Sequence, residues 1–190
     1  MLISSVAFAF ALALIRKGDL RRLATVRFRL WWLIVAAFVL KLAIVRLSSA
    51  GVEWMITYGP ALHIATYLAL SVGLVLNRDL PWMKLALLGT LLNFAVVAAN
   101  GGKMPVWSFT LALMGNDRSL ANLLVTTDAT HTVATDSTVL PWLGDWIPIP
   151  MPISSAASPG DVFLALGVIL LVNTVTQPSR APEARPGLAA

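Results

Sequence analysis

The chain has 190 residues, 58% of them hydrophobic and 12% charged, with a mean hydropathy of +0.80. Soluble domains carry charge at about a quarter of their positions, so this composition excludes a soluble globular enzyme and a disordered chain. The net charge of +5 does not make it a nucleic-acid binder. What is left is a small multi-pass membrane protein. The chain has no cysteine, hence no disulfide framework and no thiolate zinc site.

A spanning helix needs about 20 mainly apolar residues. Met1 to Ile15 is apolar apart from Ser4 and Ser5, and its basic cluster follows the apolar run instead of preceding it. That order predicts an uncleaved first helix, not a signal peptide. Further spans are expected at about 30–47, opened by Trp31 and Trp32; at 60–76, from Pro60 or from Gly51 with a kink at Pro60; at 82–99; and at 162–175, the shortest. The expected fold is therefore all-α, with about five transmembrane helices in one polytopic domain over 1–175. A disordered cytoplasmic tail follows over 176–190.

Charge sets the orientation. The segment between the first two spans holds Arg16, Lys17, Arg21, Arg22, Arg27 and Arg29 against the single acid Asp19. Arg78, Lys84, Arg180 and Arg185 fall on the same side, which makes ten of the fourteen basic residues, and the positive-inside rule makes that side cytoplasmic. The opposite side holds Lys103 and Arg118 with Glu53, Asp117, Asp128, Asp136, Asp145 and Asp161. The expected location is the cytoplasmic membrane, N-terminus outside and C-terminus inside. The loop 16–29 is expected to meet anionic lipid headgroups.

Residues 100–161 form one long outer segment before the last helix. Trp107, Thr110, Leu111 and Met114, then Leu120, Leu123 and Leu124, recur at helical spacing, which predicts one or two short helices over 105–125 broken at Gly115-Asn116-Asp117. Thr126 to Thr138 reads as a loop. Leu140 to Pro152 reads as an extended strap, because its alternating prolines remove backbone donors. Ser158-Pro159-Gly160-Asp161 is a helix start with Ser as cap and Asp three on. Asn100-Gly101-Gly102, directly after an apolar helix, predicts a left-handed cap and a tight reversal, with Pro105 at the next helix start. The same turn, with Lys103, also has the makings of an anion site.

The run Leu88-Gly89-Thr90-Leu91-Leu92-Asn93-Phe94 leading to Asn100-Gly101-Gly102-Lys103-Met104-Pro105-Val106 resembles the bacterial membrane family catalogued as domain of unknown function 5317. His63 with Tyr67, Asn77, His131, Leu143-Gly144-Asp145 and Ser158-Pro159-Gly160-Asp161 fit the same pattern in the same order. The resemblance implies a small polytopic protein and supplies no catalytic residues.

Ionisable or strongly polar groups within spans are functional candidates by default. Lys41, about two turns into the second span, calls for a partner or a wet cavity; Arg46 reaches the edge; His63 and Asn93 sit within spans three and four. In the outer segment the candidate cluster is Asn100, Gly101, Gly102, Lys103, His131 and Asp145. No metal site or cofactor is expected, since the two histidines stand 68 positions apart without a His-Glu-x-x-His helix. Phosphate-binding and dinucleotide glycine loops and a Gly-x-Ser-x-Gly turn are all missing from the sequence. The leading expectation is an accessory or interaction subunit with an ordered outer cap, close-packing on a membrane-protein partner or homo-oligomer through Gly73, Gly89, Ala95 and Gly167. An enzyme or lipid-handling protein using Asn100, Lys103, His131 and Asp145 is the alternative, and an oligomeric transporter or channel the third reading. Convergence of His63, Lys41, Lys103, His131 and Asp145 on one place separates them.

Overall fold

The computed structural model describes residues 2–113, 128–149 and 155–177. The described chain is mostly helical. In order come α1 (Leu2–Ile15), a 3-10 turn (Leu20–Thr25), α2 (Trp31–Ser49), α3 (Glu53–Leu76) and α4 (Met83–Ala99). Then follow β1 (Met104–Val106), α5 (Ser108–Leu113), β2 (His131–Val133), a second 3-10 turn (Pro141–Leu143), β3 (Ile147–Ile149), β4 (Ser155–Ala157) and α6 (Pro159–Thr176). α2, α3 and α6 are long and apolar enough to cross a membrane; α1 and α4 are apolar but shorter.

The start of α3 follows the second of its two expected forms, and α6 starts at the expected cap. α3 begins at Glu53 and carries Pro60 in its interior. The reason is Gly51, whose φ of +79° ends α2 while the Val52 N–H returns to Leu47 O at 3.1 Å. That leaves Val52 to cap the next helix at once. α6 begins at Pro159, because Ser158 and Asp161 form a reciprocal capping box and proline needs no donor in a first turn.

The five long helices run alternately up and down, which their end contacts fix. The Asp19 N–H donates to Thr176 O (2.9 Å) and Arg22 Nη1 to Gln177 O (2.7 Å), joining the end of α1 to the end of α6. Asn77 accepts from the Arg29 N–H at 2.7 Å and donates to Arg29 O at 2.8 Å, joining the start of α2 to the end of α3. Trp82 Nε1 donates to Thr174 Oγ1 (2.9 Å), bringing the start of α4 to the same end.

α4 and α6 lie so close that their glycines face backbone. Gly89 meets Gly160 O and Leu164 N, and Gly167 meets Ala86. Gly73 receives the Ile34 side chain of α2. These faces, expected to be offered to a neighbouring protein, are used inside the chain; Ala95 alone of the four is exposed.

The opposite end carries a cap of short strands. β1 pairs in parallel with β2 (Met104 with His131, Val106 with Val133), and Asp145 bridges Val106 on the other side. β3 pairs antiparallel with β4. Pro105, expected at a helix start, is therefore mid-strand, where its carbonyl accepts from the Asp145 N–H at 2.8 Å. The expected loop 126–138 contains β2, and the helix expected from Pro105 starts later, with α5 at Ser108. Its continuation over 114–125, the strap's end at 150–152 and the tail beyond 177 lie outside the described residues.

The glycine turn takes the expected form, with φ of +65° at Gly101 and +91° at Gly102. The two positions differ in surroundings. A Cβ on Gly101 meets nothing within 4 Å, whereas one on Gly102 overlaps the backbone of Pro60. Gly101→Ala should cost on the order of 1 kcal/mol of backbone strain. Gly102→Ala should be markedly worse, with lost folded yield. Thermal melting of the two variants in mild detergent checks this, and equal losses would remove the packing argument.

Candidate functional site

The site is assembled where α4 hands the chain to the cap. The Gly102 N–H bonds Val97 O at 2.8 Å, and the Gly102 carbonyl accepts from His63 Nδ1 at 2.8 Å. A carbonyl only accepts, so the His63 proton is on Nδ1 and Nε2 carries a bare lone pair. That Nε2 is buried and has no partner among the described residues. The ring leans on Tyr67 one helical turn on, with centroids 5.1 Å apart. The Tyr67 hydroxyl accepts from Lys41 Nζ at 3.4 Å, and the ammonium lies 5.1 Å from the ring centre. Lys41 thus has the partner its position demanded.

β1 then places β2 beside this turn, for the Met104 N–H donates to Thr130 O at 2.8 Å. The residues Asp128-Ala129-Thr130-His131 form an Asx turn. Asp128 Oδ1 accepts from the N–H of Thr130 (2.7 Å), the N–H of His131 (3.0 Å) and the Thr130 hydroxyl (2.8 Å). Its Oδ2 faces His131 Nδ1 at 3.2 Å, and the Thr130 oxygen lies 2.9 Å from the same nitrogen. Both contacts hold a proton on Nδ1 and turn Nε2 outward, to 3.9 Å from Asp145 Oδ2. Asp145 is buried, fixed by its backbone to Pro105 O and by the Trp107 N–H donating to its own carbonyl (3.1 Å). Its Oδ1 has no partner among the described residues.

Burial pushes the Asp145 carboxyl up to about 6, with the charge of Asp161 adding to the rise and those of His131 and Lys41 opposing it. Burial pulls the His131 imidazole down, but the hydrogen bond and charge of Asp128 and the charge of Asp145 outweigh it and raise it above its ordinary value. Burial would raise Asp128, but His131 and the Thr130 donors hold it well below the usual carboxylate range. His63 lies within electrostatic reach of His131, Asp128 and Lys41.

Lys41, His63, His131 and Asp145 therefore gather at one end of the bundle, and two expected members do not join them. Asn100 is a clamp, its amide donating to Val96 O and Val139 O (2.7 and 2.8 Å) and accepting from the Val139 N–H at 3.0 Å. Lys103 is half-buried and takes no part in the network among the described residues. Asn93 ties α4 to α6, donating to Asp161 Oδ1 at 2.9 Å and accepting from Ser158 Oγ at 2.7 Å. Among the described residues, no three His, Asp or Glu side chains converge closely enough to hold a metal ion. What the arrangement supplies is a set of proton donors and acceptors.

Residues 25–173 match the family of unknown function DUF5317. The chain belongs to that family. An uncharacterized protein of Thermotoga maritima is 34% identical over 124 residues, covering 62% of this chain and 68% of that relative. No solved structure matches. In this DUF5317 protein the conspicuous turn Asn100-Gly101-Gly102 is the hinge between bundle and cap, and the chemistry lies on either side of it. Sequence reasoning missed Thr130 and the anchoring role of Asp128. An Asp whose side chain meets the N–H groups two and three residues on is an Asx-turn signal that could have found them. The four-residue step from His63 to Tyr67 on one helix face could have paired those rings.

Because folding raises Asp145, the folded cap binds that proton more tightly than the unfolded chain. Its contribution to stability is fully present below the ordinary carboxylate value and is lost as pH rises through about 6. The His131 contribution is likewise present below its ordinary value and lost as pH rises past its raised one. Asp145→Asn should flatten the loss around pH 6 and lower the His131 pKa; Asp128→Asn should lower it further. Imidazole nitrogen NMR in detergent checks both, with only two histidines to assign. An unmoved His131 in Asp145→Asn would break the pairing.

Proposed function

We propose that this is a five-span protein of the cytoplasmic membrane, N-terminus outside and C-terminus inside, whose outer cap carries an acid–base site acting on a polar group at the membrane interface. Three features support the membrane arrangement. The helices alternate, so the basic residues Arg16, Lys17, Arg21, Arg22, Arg27, Arg29, Arg78 and Lys84 gather at one end. With them are the acids Asp19 and Asp79, while Glu53, Asp128, Asp136, Asp145 and Asp161 gather at the other end with Lys41, Arg46 and Lys103. The tryptophans also sort by end. Trp31, Trp32 and Trp82 lie at the basic end and Trp54, Trp107, Trp142 and Trp146 at the acidic end, and all are exposed. Exposed tryptophans in two belts, separated by a 19-residue α2 of roughly 28 Å, are the pattern of two membrane interfaces. The loop 16–29 then rests on anionic headgroups.

One observation carries the activity: His131 is anchored on Asp128 with its other nitrogen turned to the buried, half-unpartnered Asp145. Such an imidazole donates from Nε2 while protonated and accepts there once neutral, with Asp145 ionised beside it; acid–base help of this kind supplies about 10²- to 10⁴-fold. His63 Nε2 adds a second buried acceptor. The accessory-subunit reading drew on small residues at helix faces, and the packing of Gly73, Gly89 and Gly167 within the chain removes that support.

Cells lacking the gene should be rescued by the native chain and by Lys103→Gln, but not by His131→Gln or Asp145→Asn at equal accumulation. Rescue by all variants would return the accessory reading. Topology is checked with single cysteines: an impermeant reagent should label Ser137→Cys in intact cells and spare Ala24→Cys, and the reverse would invert the orientation.

A further inference from the structure

The acid–base site leaves a second feature of the cap unused. Among the described residues, Trp107, Phe109, Trp142 and Trp146 line an open cleft with no polar side chain. Its rings are held in place. Trp107 and Phe109 meet edge to face at 5.8 Å and 74°. The Trp107 indole N–H donates to Pro141 O (3.0 Å) and that of Trp146 to Trp142 O (2.8 Å). Neither of these N–H groups needs water, so both rings present apolar surface outward. Leu113, 70% exposed, ends the short α5 that follows Trp107. A contiguous apolar patch of this kind, with large aromatic area left uncovered, marks an interaction surface.

The attachment of the cap says what covers it. His63, which holds the Gly102 carbonyl, is ten residues into α3, so the cap is fixed roughly 15 Å along that helix from its start. Ala129 packs on Gly59 and clusters with Ile44 and Met55, at the same level. The cap thus lies beside the first turns of α3, whose exposed Trp54 and Tyr58 belong to the outer aromatic belt, and does not stand above the bundle. Its aromatic face lies at the same end of the bundle as Trp54 and Tyr58, with the 3-10 turn that carries Trp142 packed on α4 and α6.

We propose that this face is a lipid-docking surface: Trp107, Phe109, Trp142 and Trp146 insert into the outer headgroup–acyl boundary of the bilayer. The proposal rests on the membrane reading above. Asp145 lies between the two sides of the cleft, one residue before Trp146 and bonded through its carbonyl to the Trp107 N–H. Docking therefore holds the Asp145–His131 pair at headgroup depth.

The native chain has no cysteine, so single spin labels test it directly. Phe109→Cys and Trp142→Cys are labelled in the full chain, reconstituted in phosphatidylcholine–phosphatidylglycerol vesicles, with Val39→Cys in mid-α2 and Ser137→Cys on the exposed loop as references. Collision with oxygen against a water-soluble nickel complex reads depth. The oxygen-to-nickel ratio at positions 109 and 142 should rise several-fold over that at 137, toward the value at 39. Ratios at 109 and 142 equal to that at 137 would overturn the proposal. So would spin–spin broadening at 109 or 142 that unlabelled protein dilutes away, since a second copy would then cover the face. Nickel access at 39 would sink the membrane reading and the docking proposal together. Phe109→Cys leaves both indole bonds intact and carries the test if Trp142→Cys fails to fold.

Discussion

The passage of the chain past Pro60 at Gly102 is the constraint on which the cap depends. α4 stops at Ala99, and the chain must leave the bundle against the flank of a longer helix. Only a residue without a Cβ fits against the Pro60 backbone there, and its φ of +91° aims its carbonyl at His63. Once that carbonyl is held, β1 has one course. β2 pairs to one side of it and brings His131; the Asp145 bridge pairs to the other and brings the carboxylate. No side chain of the acid–base pair comes from the bundle, yet the bundle sets where both stand. His63 acts here as a structural donor through Nδ1, and its second nitrogen has no partner among the described residues.

The polar groups near this junction divide into two kinds. Asn93, Ser158 and Asp161 close on one another, as do Asn100 and Val139, and each satisfies donors and acceptors that a tight helix contact would strand. His63 Nε2 and Asp145 Oδ1 are buried and are left without a partner among the described residues. An unsatisfied buried polar atom costs about 1 to 3 kcal/mol. Ser71 Oγ and Asn173 Oδ1 share that state elsewhere in the bundle, so it is the nearness of the first two to His131 and Asp128 that sets them apart.

Those groups were unevenly legible in the sequence. Helix existence followed from apolar length, the capping box from Ser158 and Asp161, and the glycine turn from its place after an apolar run. Each is a local signal read within a few residues. The start of α3 stayed open between Gly51 and Pro60, and Gly51, which ends the previous helix, decides it. The strands were invisible for a different reason: three residues carry no period, and β1, β2 and the Asp145 bridge pair across tens of positions. The candidate cluster divides on the same ground. His131 and Asp145 stand 14 positions apart and are joined only through Pro105 and Val106. Asn100 and Lys103 sit beside the turn in sequence and drew attention for that nearness alone.

The charge state of the cap follows from how the three outer groups are ordered. Asp128 stays ionised throughout the neutral range, held by His131 and the Thr130 donors. Asp145 titrates at about 6, and His131 loses its proton above its ordinary value. Below that first step the trio is neutral overall, with one carboxylate, one imidazolium and one carboxylic acid. Between the steps it carries one net negative charge, with a cationic ring between two carboxylates. Lys41, in electrostatic reach and tied to Tyr67, offsets that charge from the bundle side. A buried group that changes charge near neutral pH is costly in a purely structural role, because either state is poorly solvated over part of the range. The proposed acid–base role gives that change of charge a use, and Asp145 Oδ1, buried and without a partner among the described residues, is the oxygen it leaves unassigned.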